Sequence, residues 1–192
     1  MTRLAYLWDS GKCVACMACV LACTGNYPEL VNLQEPNPMR KWLPSNIRVV
    51  IKELGKPELR LVSCQHCENP PCVHACPTGA SHIDRKTGLA EIDYSKCIGC
   101  KACIVACPYG ARWLNPLNHL PMKCPGPVCK DLIEKGEKPM CVQVCPAHAR
   151  DFGDLDDPSS SISIKISRYR TERMLEHLGT EPKWFIVPRR GG

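Results

Sequence analysis

Sixteen cysteines in a chain of 192 residues are the side chains best able to do chemistry here. They fall into four groups of four. The first, Cys13, Cys16, Cys19 and Cys23, is spaced C-x2-C-x2-C-x3-C, and the third, Cys97, Cys100, Cys103 and Cys107, repeats that spacing. The second, Cys64, Cys67, Cys72 and Cys76, widens the middle gap to four residues. The fourth, Cys124, Cys129, Cys141 and Cys145, has gaps of four, eleven and three. Cysteines two residues apart let one tight loop turn its thiolates onto one face of an iron–sulfur cluster. The fourth member, on a short helical turn such as Ala102–Cys107, points away from that loop. In two-cluster ferredoxins it ligates the other cluster. Pro77, Pro108 and Pro146 follow the last cysteine of groups two to four and stop the turn by removing an N–H. The groups form an internal repeat that organises the chain, and sixteen thiolates suffice for four [4Fe-4S] clusters.

Other uses of so many cysteines fit less well. A disulfide framework suits small secreted chains, but cysteines two residues apart converge on one point rather than reaching separate partners. Structural zinc takes C-x2-C pairs about fifteen residues apart, often mixed with histidine. Only the Cys124–Cys129 gap would suit zinc, and it stands alone.

Composition points the same way. The hydrophobic fraction of 44% includes the cysteines, and only two residues are Phe. Without the cysteines about 35% remains, thin for a core of this size, so something besides apolar burial must staple the chain. The formal charge of +6 would ordinarily raise nucleic acid or a membrane surface as partner, but Lys and Arg are scattered, with Arg40-Lys41 and Arg189-Arg190 the nearest to clusters. Four clusters, each roughly −2 when oxidised, would bring the total to about −2. Nucleic acid is not expected. No leader segment and no eighteen-residue apolar run are visible, so the expectation is a soluble protein, or one held at a membrane through a partner.

The segments between the groups must position the thiolates. Residues 47–54 and 58–63 flank Gly55-Lys-Pro57 and predict a β-hairpin leading into the second group. Residues 81–84 and 89–93, around a Lys86-Thr-Gly88 turn, predict another. Ala111–Trp113 and Ala149–Phe152 occupy matching short-strand positions after groups three and four. Loop, helical turn and hairpin recurring in this way predict an α+β, ferredoxin-like fold. Residues 24–46, with Pro28, Pro36, Pro38 and Pro44, read as a long functional or partner-facing insert. From Asp154 the chain changes character: Asp156, Asp157 and Ser159–Ser161 predict a cap for a helix running to about Leu178. Gly179 ends it, and Trp184–Val187 follows as a short apolar strand.

The run Cys64-Gln-His-Cys-Glu-Asn-Pro-Pro-Cys-Val-His-Ala-Cys-Pro-Thr-Gly-Ala-Ser81 closely resembles the four-cluster iron–sulfur β subunit of membrane-bound molybdopterin oxidoreductases of the polysulfide, thiosulfate and dimethyl sulfoxide reductase type. Supporting matches are Cys97–Arg112, Glu134-Lys-Gly-Glu-Lys-Pro139, Phe152–Pro158 and Gly179-Thr-Glu-Pro-Lys183. The resemblance implies two interleaved ferredoxin-like two-cluster units. An outer unit (residues 1–46 plus 115–153) combines groups one and four. An inner unit (47–114) combines groups two and three, and 154–192 is a partner-docking extension. Carried over by position, cluster 1 takes Cys13, Cys16, Cys19 and Cys145. Cluster 2 takes Cys23, Cys124, Cys129 and Cys141. Cluster 3 takes Cys64, Cys67, Cys72 and Cys107, and cluster 4 takes Cys76, Cys97, Cys100 and Cys103. Cluster 1 would face the molybdenum subunit and cluster 4 a quinone-reactive membrane subunit. Because Cys100 is present, where some relatives carry Trp and three irons, four irons are expected there. Two departures concern the loops alone: Cys124-Pro-Gly-Pro-Val-Cys129 has two extra residues, and Cys23 is followed by Thr24-Gly25 rather than Pro.

No catalytic constellation is visible: no G-x-S-x-G, no phosphate-binding loop and no H-E-x-x-H. His66 and His74 lie inside the second group, but with four cysteines per cluster they are expected beside the clusters or at the surface. His82, His119, His148 and His177 receive no role. Tyr109 and Trp113 are expected to pack over a cluster and exclude water. The function expected is electron transfer between a molybdopterin subunit and a quinone-reactive membrane subunit, on the periplasmic face, with the cytoplasmic face as alternative. A four-cluster partner of a hydrogenase, carbon monoxide dehydrogenase or tungsten-pterin oxidoreductase is the second reading, and a zinc-stapled interaction module the third.

Overall fold

A computed structural model describes residues 2–31, 43–52 and 58–189. The turn expected at Gly55-Lys-Pro57, most of the proline-rich insert, Arg40-Lys41 and Arg190 lie outside the described residues. The secondary structure is mixed and short. A strand β1 (Leu4–Asp9) precedes the first cysteines, and α1 (Ala18–Thr24) carries Cys19 and Cys23. After a turn of helix α2 (Pro28–Val31), β2 (Arg48–Lys52) and β3 (Glu58–Val62) pair antiparallel and deliver the chain to Cys64. Helix α3 (Pro71–His74) precedes the hairpin of β4 (Ser81–Ile83) and β5 (Ala90–Ile92), and α4 (Ala102–Val105) precedes the hairpin of β6 (Trp113–Leu114) and β7 (Pro121–Met122). Then come α5 (Pro127–Glu134), α6 (Met140–Gln143), β8 (Arg150–Asp154), α7 (Ser161–Arg168), a 3-10 turn (Glu176–Leu178) and β9 (Trp184–Val187).

The largest sheet has the order β8-β1-β9, with β8 antiparallel and β9 parallel to β1. It draws together the start, the fourth cysteine group and the end of the chain. Tyr6 is fully buried, stacked on His66 and Trp184 with ring centroids 5.4 and 4.9 Å away and tilted against Phe152 at 4.7 Å. On the other face of the sheet Ile162 of α7 packs with Ala5, Leu7 and Val187. Helix α1 packs on α6 and α3 on α4, so group one meets group four and group two meets group three.

The tail differs in one respect from its sequence reading. Ser160 caps α7 by accepting from the Ser163 N–H, but the helix stops at Tyr169, whose backbone is extended. Three residues later Glu172 exchanges two backbone hydrogen bonds of 2.8 Å with Ile186. A strand partner supplied by β9 outcompetes further helix at this point. The end of the chain is thus integrated in the main sheet, with Gly179 (φ +64) closing the 3-10 turn.

Candidate iron–sulfur sites

The backbone repeats where the cysteines do. Met17 and Lys101, the residues after the second cysteine of groups one and three, adopt left-handed φ of 61 and 65 and start α1 and α4. Gly79, Gly110 and His148, each three residues after a Cys-Pro cysteine, also have positive φ. That kink turns a later N–H back onto the sulfur. Ser81 donates to Cys76 Sγ at 3.3 Å, Ala111 to Cys107 Sγ at 3.4 Å, and Ala149 to Cys145 Sγ at 3.3 Å. Such bonds stabilise a thiolate over a thiol.

The thiols gather in four sets. One cavity is lined by Cys13, Cys16, Cys19 and Cys145, with Trp8 and Arg150. A second is lined by Cys23, Cys124, Cys129 and Cys141, with Asn46 and Trp184. Another contains Cys76, Cys97, Cys100 and Cys103, with Arg112. The remaining cysteines lie together, Cys67 and Cys107 each having Cys64 and Cys72 as electrostatic neighbours. Among the described residues no three His, Cys, Asp or Glu side chains converge closely enough for a single metal ion. Four thiols gathered at one place are the donor set a [4Fe-4S] cluster takes.

Burial grades the sets. The Cys23 set is wholly buried, and Cys64, Cys67 and Cys72 are buried as well. Cys16 and Cys100, in the other two sets, are exposed. Burial, followed by repulsion from Cys141 and Cys129, pushes the Cys124 thiol far above its ordinary range. Burial likewise pushes Cys141 up to about 12 and Cys67 up to about 11. At the solvent-near Cys76, burial raises the pKa, but the Ser81 and Thr78 donors outweigh it and hold the thiol below the ordinary value. At Cys124, Cys141 and Cys67, therefore, burial favours the neutral thiol, so binding a metal there would release protons.

Polar side chains brace the buried sulfurs. Asn26, only 3% exposed, donates to the Cys23 carbonyl at 3.0 Å and toward Cys129 Sγ at 3.6 Å, and accepts from the Cys129 N–H at 3.1 Å. The Asn46 N–H donates to Cys23 Sγ at 3.3 Å, and the Tyr6 hydroxyl lies 3.5 Å from Cys124 Sγ. The irregular Cys124–Cys129 loop is accommodated by Gly126 and Pro127, which start α5 and place Cys129 in its first turn.

Of the residues singled out in the sequence, Tyr109 is buried beside Cys67 and Cys107 and shares a 2.5 Å hydrogen bond with Thr180. Trp113 instead packs edge-on against Tyr27 at 5.0 Å and donates to Asn46 at 2.8 Å. His74 is exposed and bonds Asn69, whereas His66 is fully buried with neither ring nitrogen hydrogen-bonded. Burial, then Lys123, Lys183 and Arg112, keeps His66 neutral. Sequence reasoning missed Asn26, Asn46, Tyr6, Arg112 and Arg150. Only the arginines carried a signal, the repeated Ala-Arg after groups three and four.

Comparison with known proteins agrees with this chemistry. Models of the 4Fe-4S dicluster domain match residues 12–80 and 59–155. The B subunit of sulfite dehydrogenase from Allochromatium vinosum is 42% identical over 99% of this chain and 85% of its own length. The B component of polysulfide reductase from Wolinella succinogenes is 40% identical over 99% of this chain and 97% of its own. The thiosulfate reductase electron transfer subunit of Salmonella typhi is 40% identical over 79% of this chain and 76% of its own. Two dicluster domains and sixteen cysteines amount to four [4Fe-4S] clusters. This protein belongs to the ferredoxin-like, four-cluster iron–sulfur subunits that carry electrons within polysulfide, thiosulfate and sulfite oxidoreductases, without a catalytic site of their own.

Proposed function

We propose that this chain carries electrons between a molybdopterin catalytic subunit and a quinone-reactive membrane subunit, through two interleaved two-cluster units. In this reading cluster 1 is held by Cys13, Cys16, Cys19 and Cys145, and cluster 2 by Cys23, Cys124, Cys129 and Cys141. Cluster 3 is held by Cys64, Cys67, Cys72 and Cys107, and cluster 4 by Cys76, Cys97, Cys100 and Cys103. The outer unit comprises residues 1–46 and 115–153, and the inner unit residues 47–114. When bound, the clusters supply one-electron redox chemistry. The polypeptide holds them at fixed separations and keeps water from the middle two.

The gradient of burial carries this reading. The two middle sets of thiols are largely buried, whereas the two terminal sets each include an exposed cysteine. Exposed apolar side chains flank both ends: Val14 beside the Cys13 set and Ile98 beside the Cys97 set, with Val105 exposed on α4. Apolar residues exposed over a redox centre are what a docked partner would cover. Ile164, Leu175 and Leu178 are also exposed on residues 154–192, which we assign to partner docking. The complex is assigned to the periplasmic face of the membrane, with this protein peripheral through its partners. No helix among the described residues is long and apolar enough to cross a membrane.

Affinity purification of the protein from its native membranes tests the reading. A large pterin-containing subunit and a multi-helix membrane protein should co-purify, with about sixteen irons on this chain. Recovery of a hydrogenase, carbon monoxide dehydrogenase or tungsten-pterin enzyme instead would overturn the choice of partner. Accessibility of the tagged protein to protease in intact spheroplasts reads the side of the membrane.

A further inference from the structure

Two arginines occupy one position of the repeat, five residues after the last cysteine of groups three and four: Cys107-Pro-Tyr-Gly-Ala-Arg112 and Cys145-Pro-Ala-His-Ala-Arg150. Both are 4% exposed. Neither forms an ion pair with a carboxylate among the described residues. None of the three guanidinium nitrogens of Arg150 has a nitrogen or oxygen hydrogen-bond partner, the Cys19 sulfur being its one neighbouring side-chain acceptor among the described residues, and its carbon sits 5.0 Å from the Trp184 ring centroid. Arg112 donates through Nη2 to Cys72 Sγ at 3.0 Å and Ser81 Oγ at 2.6 Å, while its Nη1 has no partner.

Their places in the fold are as alike as their places in the sequence. Arg150 lines the cavity of Cys13, Cys16, Cys19 and Cys145. The Trp184 ring against it lines the cavity of Cys23, Cys124, Cys129 and Cys141. The sulfurs of Cys141, Cys19 and Cys124, drawn from both sets, are the cysteine neighbours that act on its charge. Arg112 likewise lines the cavity of Cys76, Cys97, Cys100 and Cys103 while bonding Cys72 of the neighbouring set. Each guanidinium therefore stands between two four-thiol sites.

A buried cation without an anion is among the costliest groups a fold can hold. An Arg stays charged at any ordinary pH, so it cannot escape by losing a proton. The cost disappears when the flanking sites carry negative charge, as thiolate-ligated clusters do. We propose that Arg112 and Arg150 are matched counter-cations, one per two-cluster unit, each shared by two [4Fe-4S] clusters and raising the reduction potential of both. A fixed positive charge favours the more negative, reduced form of each neighbour. It also weakens the repulsion between two reduced clusters in one unit. The inference rests on the ligand sets proposed above.

The test is an EPR-monitored potentiometric titration of the anaerobically purified, cluster-loaded complex, with iron content measured on the same samples. In Arg150→Gln, two of the four midpoints should fall by roughly tenfold in the redox equilibrium, 59 mV for a one-electron couple. In Arg112→Gln the other two should fall. Arg150→Lys and Arg112→Lys, which keep the charge, should recover most of each shift. Unchanged midpoints at full iron, all four midpoints moving together, or equal shifts for Lys and Gln would overturn the proposal. Should Gln cost iron, retention in the Lys variant supports it and loss in both overturns it. Four wild-type components without shifts in the variants defeat this inference alone. Fewer than four in the wild type defeat the ligand sets and this inference with them.

Discussion

Adding one methyl group at Gly126 should damage the cluster 2 site from outside it. Gly126 has φ −79 and ψ 174, a backbone that alanine adopts freely, so the effect is purely steric. A Cβ there would come within 2.6 Å of the Cβ, Cγ and Oδ1 of Asn26. Asn26 cannot step aside, because its amide is tied to the Cys23 carbonyl and to both the N–H and the sulfur of Cys129. Overpacking a tight interior costs about 1–3 kcal/mol. Freeing Asn26 from its bonds adds about 0.5–1.5 kcal/mol for each one lost. A total of about 4 kcal/mol lowers the melting midpoint of a chain this size by roughly 8–16 °C. The assay is anaerobic thermal unfolding of the loaded protein, followed by far-UV circular dichroism and cluster absorbance. Gly136→Ala is the control: nothing lies within 4 Å of its Cβ, but its φ of +78 adds about 1 kcal/mol of backbone strain. Asn26→Ala should cost about 2 kcal/mol alone and fall short of additivity with Gly126→Ala, since it removes the Cγ and Oδ1 contacts, leaves only the Cβ one, and loses bonds that Gly126→Ala also breaks. A Gly126→Ala protein no less stable than Gly136→Ala, or strict additivity in the double mutant, would mean that Asn26 does not hold this site.

Further outcomes follow from the same geometry. Cys145→Ser should free Cys13, Cys16 and Cys19 for alkylation, read by peptide mass spectrometry, while Cys124, Cys129 and Cys141 stay protected; the reverse pattern would sink the ligand pairing. Asp151, 1% exposed, is gripped by Lys138 at 2.8 Å and Lys165 at 2.6 Å, tying β8 to α7. Burial opposes its charge, but the lysine bonds prevail and hold the carboxyl at about 2, so its contribution is complete above the unfolded value of 3.8 and lost only as pH falls through about 2. Asp151→Asn should therefore destabilise by about 2 kcal/mol, and equally so from roughly pH 5 to 8 in denaturant melts; a penalty that varied within that window would contradict the assignment. Stripping the clusters with an anaerobic iron chelator should abolish cooperative unfolding in calorimetry, because the cations at Arg112 and Arg150 then lose their anions; an apoprotein with an unchanged transition would count against cluster-dependent folding.

Much of the site was legible because cluster ligation is written in local spacing. A cysteine loop, a helical turn and a proline lie within about a dozen residues, and α4 and the β4–β5 hairpin stand where the pattern placed them, whereas β7, which pairs with β6, had no signal. The cap at Ser160 was equally local. The helix beyond it was not. Its expected run to Leu178 ends at Tyr169, because β9, approaching from later in the chain, pairs with Glu172. Hydrophobic periodicity cannot register a competing partner fourteen residues away.

From sequence alone came the cofactor, its number and the identity of all sixteen candidate ligands, since a thiolate's chemistry is intrinsic and its spacing is short-range. Only the tertiary structure decided which sets are sheltered and which lie near solvent. It also set the meaning of Arg112 and Arg150. In the sequence each is one of many scattered basic residues. Inside the fold each is a buried cation without a carboxylate partner, standing between two rows of sulfur. Burial and the absence of a counter-charge are properties of surroundings, and those of Arg150 are assembled from residues as far apart in the chain as Cys19 and Cys141.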